Sequence, residues 1–163
     1  MIAFSALLAQ FMPRGQAYVA LFSIGLIATC VLMHYEVLRG ISRALARLQR
    51  LHRLRVLVLI FGLLLTHLVE IWIYALAYGL VDGHGDFGHL SHASTESQTG
   101  WLDYIYFSFV TYTTVGYGDI FPVGPIRFIA ASEALNGWLL LGWSASFTFL
   151  EMQRFWHDPA KSK

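Results

Sequence analysis

The most pointed chemistry in this sequence lies in backbone groups. In Thr114-Val115-Gly116-Tyr117-Gly118, two glycines alternate with residues that carry large side chains. Glycine adopts backbone conformations closed to other residues, so such an alternation can turn successive carbonyls toward one axis. Four copies of the ribbon around that axis would stack rings of oxygens. Rings of this kind can replace the water shell of a dehydrated cation.

Something must hold that ribbon. The preceding segment, Trp101 to Thr113, is apolar and aromatic but too short to cross a bilayer. As a helix it reaches about 20 Å, and five extended residues climb back about 16 Å. The chain therefore enters and returns to the side it came from. Irregular backbone at membrane depth is tolerated where protein surrounds it or where it lines a watery path.

Composition places the whole in lipid. Of 163 residues, 56% are hydrophobic and 13% charged, a balance that ordinary soluble domains do not show. Apolar residues gather into three stretches, 17–38, 56–81 and 126–150, each long enough for a helix to cross the hydrocarbon core. Residues 1–16 lack the basic start and small-residue cleavage site of a signal peptide, and are expected to form an interfacial segment. Cys30, alone of its kind, lies in the first stretch and reads as a small packing residue.

Thr113-Thr114-Val115-Gly116-Tyr117-Gly118-Asp119 resembles the signature of the tetrameric potassium channels, and it follows an aromatic half-helix and precedes an apolar span as that family requires. The resemblance covers about Val56 to Leu150. It implies an all-α integral membrane protein: three transmembrane helices plus a re-entrant pore helix and filter loop, in a fourfold-symmetric homotetramer. The pore domain is 56–150, with an outer helix 56–81, external loop 82–100, pore helix 101–113, filter 114–118 and inner helix 126–150. Thr114, Val115, Gly116, Tyr117 and Gly118 would bind or frame potassium ions, with no enzymatic step and no organic cofactor. Asp119 would sit just outside the filter, hydrogen-bonded to Tyr106 of the pore helix. Gly137 lies near the family's hinge glycine, although close helix packing explains a glycine there equally well.

Phe121 to Pro125 is expected to form a turn into the inner helix. On that helix Gly137, Leu141, Ala145 and Phe149 are spaced four apart and are expected to share a cavity-lining face. Four copies of Phe149 could close the passage by dewetting. Charged groups at membrane depth usually face the protein interior with a partner. Glu133, and His67 with Glu70, are accordingly expected to brace the outer half of each subunit, with Glu133 behind the pore helix and Glu133 and Glu70 supporting the filter, and proton sensing is the other reading. His34 and Glu36, at the inner end of the first span, can reach the headgroups and need no function. The tryptophans and Tyr18 read as interface or packing aromatics.

Residues 39–55 carry six arginines and no acid, and short basic loops stay cytoplasmic. With the tail at 151–163 inside as well, nine of the eleven basic residues fall on that side, the N-terminus outside and the C-terminus cytoplasmic. The membrane would be a plasma or bacterial inner membrane. Arg47, Arg50 and Arg53 recur every third residue, yet one preceding span is too few for a voltage sensor. The linker is expected to lie on the inner leaflet as an amphipathic helix against anionic headgroups. Outside, His84, Asp86, His89 and His92 could hold a divalent metal, or be solvated loop residues. Nothing points to nucleic acid. The competing functions are a non-conducting sensor or accessory subunit and, further off, a metal-handling membrane protein.

Overall fold

The computed structural model describes residues 14–48, 52–94 and 99–156. Its helices are α1 (Arg14–Arg47), α2 (His52–Val81), α3 (Trp101–Tyr112) and α4 (Arg127–Trp156). Between α2 and α3 a 3-10 turn at Gly85–Phe87 leads into strand β1 (His89–His92). Strand β2 (Ile120–Val123) follows α3 and pairs antiparallel with β1, Leu90 opposite Pro122 and His92 opposite Ile120.

Two helical stretches, Gly15–Arg47 and Leu54–Val81, are long and apolar enough to cross a membrane. Helix α4 is as long as α2, with 30 residues each. It carries Ser132, Glu133, Asn136 and Ser144, all buried against the rest of the chain. Its polar groups face inward, which lowers its hydropathy without exposing those groups. The main core joins all four helices and the strands: Cys30 from α1, Tyr74 and Tyr78 from α2, Phe107 from α3, Ile126, Ile129 and Leu140 from α4, and Leu90 and Ile120 from the sheet.

The short helix α3 is set at both ends. At its start the Gly100 amide donates to the Asp103 carboxylate at 2.7 Å, a side-chain cap for a group that lacks a helical partner. At its end the Thr113 amide donates to the Phe109 carbonyl at 3.1 Å. The small sheet then fixes the returning chain, with the Ala93 amide donating to the Asp119 carbonyl at 2.9 Å.

Three expectations are corrected. The fold is mostly helical rather than all-α, because residues 120–123, which overlap the turn expected over 121–125, extend and pair with His89–His92. The basic linker is not a separate surface helix over 39–55: residues 39–47 continue α1 and 52–55 open α2, while 49–51 lie outside the described residues. The cause is a buried stripe. Leu38, Ile41 and Leu45 fall on one helical face and pack against Leu59 and Leu63 of α2, with Phe147 of α4 beside them. The third correction concerns His34, which is fully buried rather than at the headgroups. The interfacial segment expected over 1–16 lies outside the described residues up to 13, and the tail does so from 157.

Candidate functional site

Backbone geometry singles out the segment after α3. Thr114 has φ 60°, Gly116 54° and Gly118 81°, so positive φ falls on every second residue. Among the described residues Thr114 is the one non-glycine in that region. A left-handed conformation costs a residue with a Cβ about 1–2 kcal/mol, a strain that persists only where the surroundings impose it. The Thr114 amide donates to Thr111 at 2.9 Å and the Gly116 amide to Val110 at 3.0 Å, tying the ribbon to the end of α3. Within one chain nothing covers the ribbon: Val115 is 54% and Tyr117 73% exposed.

Side chains of α3 reach the flanks of this ribbon. Tyr106 faces Asp119, and the side-chain interaction with that carboxylate is the main cause holding its phenol above the usual value. At the outer end of α3 the Tyr104 hydroxyl donates to Asp82 Oδ2 at 2.7 Å, while Asp82 Oδ1 accepts from the Leu90 amide at 2.7 Å. Burial, and then this carboxylate, push the Tyr104 phenol up to about 12.

Behind α3 lie two buried carboxylates. Glu133 of α4 accepts from Tyr78 of α2 and from Ser108 of α3, the latter at 2.5 Å. The Ser108 hydroxyl is also 2.8 Å from the Ile71 carbonyl, so its one proton serves one partner at a time. Glu70 of α2 accepts from the Tyr112 hydroxyl at 2.5 Å and faces His34 Nδ1 at 2.9 Å and His67 Nδ1 at 3.0 Å. Sequence reasoning placed Glu70 beside His67 but missed His34, Tyr112, Ser108 and Tyr78. The available signal was the rule that intramembrane charges need partners, applied across helices rather than along one.

The inner-helix row divides. Leu141, Ala145 and Phe149 are exposed on the single chain, whereas Gly137 is buried against Tyr112. Each fourth residue advances about 40° around an α-helix, so the row turns by about 120° between Gly137 and Phe149. The expectation that Gly137 shares one cavity-lining face with the other three is therefore corrected: it is a packing residue here.

The external loop does not gather its candidates. His84 Nδ1 lies 3.1 Å from the Asp82 carbonyl, and Asp86 is exposed in the 3-10 turn. His89 and His92 stand three apart on β1 and so point to opposite faces. Among the described residues, the one group of His and carboxylate side chains with atoms all within 4.8 Å is His34, His67 and Glu70.

A family model described as "Ion channel" matches residues 54–154. The protein named Protein LctB from Bacillus caldotenax is 34% identical over 97 residues, 58% of this chain and 72% of the relative. Its namesake from Geobacillus stearothermophilus is 35% identical over 101 residues, with the same coverage. The Potassium channel protein kcv of Paramecium bursaria Chlorella virus 1 is 34% identical over 58 residues, 36% of this chain and 61% of that protein. No solved structure is significantly similar. The match begins at the start of α2 and ends in the last turn of α4, so it takes in α3, the positive-φ ribbon and both buried carboxylates. The chain belongs to this ion-channel family, a membrane protein of the kind that the T-V-G-Y-G-D run resembles.

Proposed function

We propose that the chain is one subunit of a homotetrameric, potassium-selective channel that carries passive flux through four copies of the Thr114–Gly118 ribbon. The observation that carries this reading is the positive φ at Thr114, Gly116 and Gly118 on a ribbon left bare by its own chain. Alternating backbone handedness brings successive carbonyls to one side, and bare carbonyls need a partner. An ion on a shared axis supplies it. The name of the viral relative gives potassium as the ion of that protein, and Tyr117 keeps the residue that selective channels carry.

In this reading α4 is a third membrane span, with its polar residues turned inward. Helix α3 enters from outside and aims its C-terminal end, with its partial negative charge, at the central cavity. The N-terminus is outside, the C-terminus cytoplasmic, and Arg39, Arg43 and Arg47 meet anionic headgroups of a plasma or bacterial inner membrane. Phe149, 60% exposed on the single chain, narrows the cytoplasmic mouth. Replacing it by alanine should raise open probability in bilayer recordings, and an unchanged value removes that gate.

Liposome flux tests the whole. Purified protein should release potassium from loaded vesicles at a rate that sodium cannot match. Equal rates for the two ions, or no flux from correctly assembled protein, would reject the reading.

A further inference from the structure

Beneath the end of α3, one buried cluster draws on each of the four described α-helices: His34 from α1, His67 and Glu70 from α2, Tyr112 from α3 and Ser144 from α4. His34 and Glu70 are fully buried, Tyr112 likewise, and Ser144 is 6% exposed. The imidazole of His34 also lies against the Trp143 ring, with centroids 5.4 Å apart. We propose that this cluster is a proton-binding site which takes up one proton beyond the count of ionised Glu70 and two neutral imidazoles, and so fastens α1 to the C-terminal end of α3.

The hydrogen count carries the inference. Five contacts run around the cluster: His34 Nδ1 to Glu70 Oε1 at 2.9 Å, His67 Nδ1 to Glu70 Oε2 at 3.0 Å, Tyr112 hydroxyl to Glu70 Oε2 at 2.5 Å, His67 Nε2 to Ser144 Oγ at 3.0 Å, and His34 Nε2 to Ser144 Oγ at 3.3 Å. Each contact needs one hydrogen between its two atoms. A neutral imidazole brings one, and each hydroxyl brings one. With Glu70 ionised and both imidazoles neutral, four hydrogens serve these five contacts.

One added proton completes the ring. Both Nδ1–H groups and the Tyr112 hydroxyl then donate to Glu70, one Nε2–H donates to Ser144, and Ser144 donates to the other Nε2. The result pairs one imidazolium with one carboxylate, for a net charge of zero. Without that proton the cluster holds an uncompensated negative charge in a buried site, which is costly. The further approach of His67 Nδ1 to the Tyr112 hydroxyl, 3.0 Å, is a second contact of the same hydrogen.

Two titratable groups packed around the cluster act on Tyr112, Cys30 from α1 and Tyr74 from α2, and Glu133 from α4 acts on those two rather than on the cluster. Glu133 is held separately by Tyr78 and Ser108. None of these donates into the five contacts. No atom of the cluster is among the described buried side-chain atoms lacking a hydrogen-bond partner, and with the added proton each of its five contacts holds a hydrogen.

Linkage gives the sign. In the unfolded chain just above neutral pH, Glu70 is ionised and the imidazoles are mostly neutral. The folded chain holds one proton more, so its stability falls as pH rises, by at most about tenfold in the unfolding constant per pH unit. Glu70→Gln removes the dependence, because the amide supplies the missing hydrogen at every pH. Ser144→Ala weakens it, by deleting the two contacts that create the hydrogen deficit while Glu70 keeps its charge.

Thermal unfolding of the full-length protein in detergent, from about pH 7.5 to about pH 9, tests this without any ion flow, and so stands or falls apart from the channel reading. The wild-type midpoint should drop by several degrees across that range. Glu70→Gln should be flat, and Ser144→Ala should be less steep than wild type if the first variant does not fold. His89→Gln, on the external strand, should keep the wild-type profile. A flat wild type, or variants at positions 70 and 144 that follow its slope, would overturn the proposal. So would one equivalent of zinc per chain retained by the wild type and lost in Glu70→Gln.

Discussion

Gly137 of α4 lies against the last residue of α3 so closely that a Cβ placed on it would come within 2.2 Å of the Tyr112 carbonyl oxygen. That neighbour is backbone and cannot swing aside. Either α4 or the end of α3 has to move, and the ribbon begins two residues later. Gly137→Ala should therefore cost about 1–3 kcal/mol, the range for overpacking a filled site. The check is the thermal unfolding midpoint together with the assembled fraction in mild detergent. Wild-type values for both would mean that this approach does not constrain the fold.

Gly116 is constrained in a different way. A Cβ there meets nothing within 4 Å, but φ is 54°, so alanine would be strained by about 1–2 kcal/mol through its own backbone alone. Gly116→Ala should leave the helices folded by circular dichroism and sharply reduce ion flux. Gly25, on α1, also has open space at its Cβ and has no positive φ. Gly25→Ala should be neutral or stabilising by about 0.5–1 kcal/mol.

Tyr78→Phe removes one of the two hydroxyls that serve the buried Glu133 carboxylate. Leaving a buried acceptor short of a donor costs about 1–3 kcal/mol. Tyr78→Phe combined with Glu133→Gln should recover part of that loss, because a neutral amide needs fewer donors. The double-mutant cycle measures the coupling, and strict additivity would mean that the pair is independent.

Tyr104 gives an alkaline signature. Its phenol is raised in the folded state from 10.0 to about 12 by burial and by Asp82. A group raised on folding contributes fully below its unfolded value and loses that contribution as pH climbs through its folded one. The stability that Tyr104 adds should thus be present below about pH 10 and lost between about pH 10 and about pH 12. Tyr104→Phe should remove this portion of the alkaline loss in a pH series of unfolding midpoints. An unchanged series would show that the bond to Asp82 does not differ between the two states.

The ribbon was legible in the sequence because backbone conformation is written locally: Gly116 and Gly118 announce positive φ, and the aromatic run before them sets a helix too short to cross. The nearness of Tyr106 to Asp119 follows from the same local run, Asp119 coming directly after the ribbon. What stayed hidden depends on how helices face one another. His34 and Glu70 are 36 positions apart and meet at 2.9 Å, and nothing in the spacing along either helix reveals that pairing. The continuation of α1 through Arg47 was masked by charge, since Arg39, Arg43 and Arg47 are interleaved with the buried Leu38, Ile41 and Leu45. Pairing of His89–His92 with Ile120–Val123 joins segments on either side of α3, and the glycine-rich context of the first suggested a loop. Histidines 89 and 92 suggested a metal site only while that segment was read without a strand's alternation.

The central claim is that four bare ribbons strip water from potassium and replace it with backbone oxygens. A reversal-potential measurement tests it most directly, with purified protein in a planar bilayer, potassium on one side and sodium on the other. The account predicts a reversal potential displaced far toward the potassium equilibrium value, and loss of that displacement in Gly116→Ala. Current reversing near zero under the same gradient would contradict it.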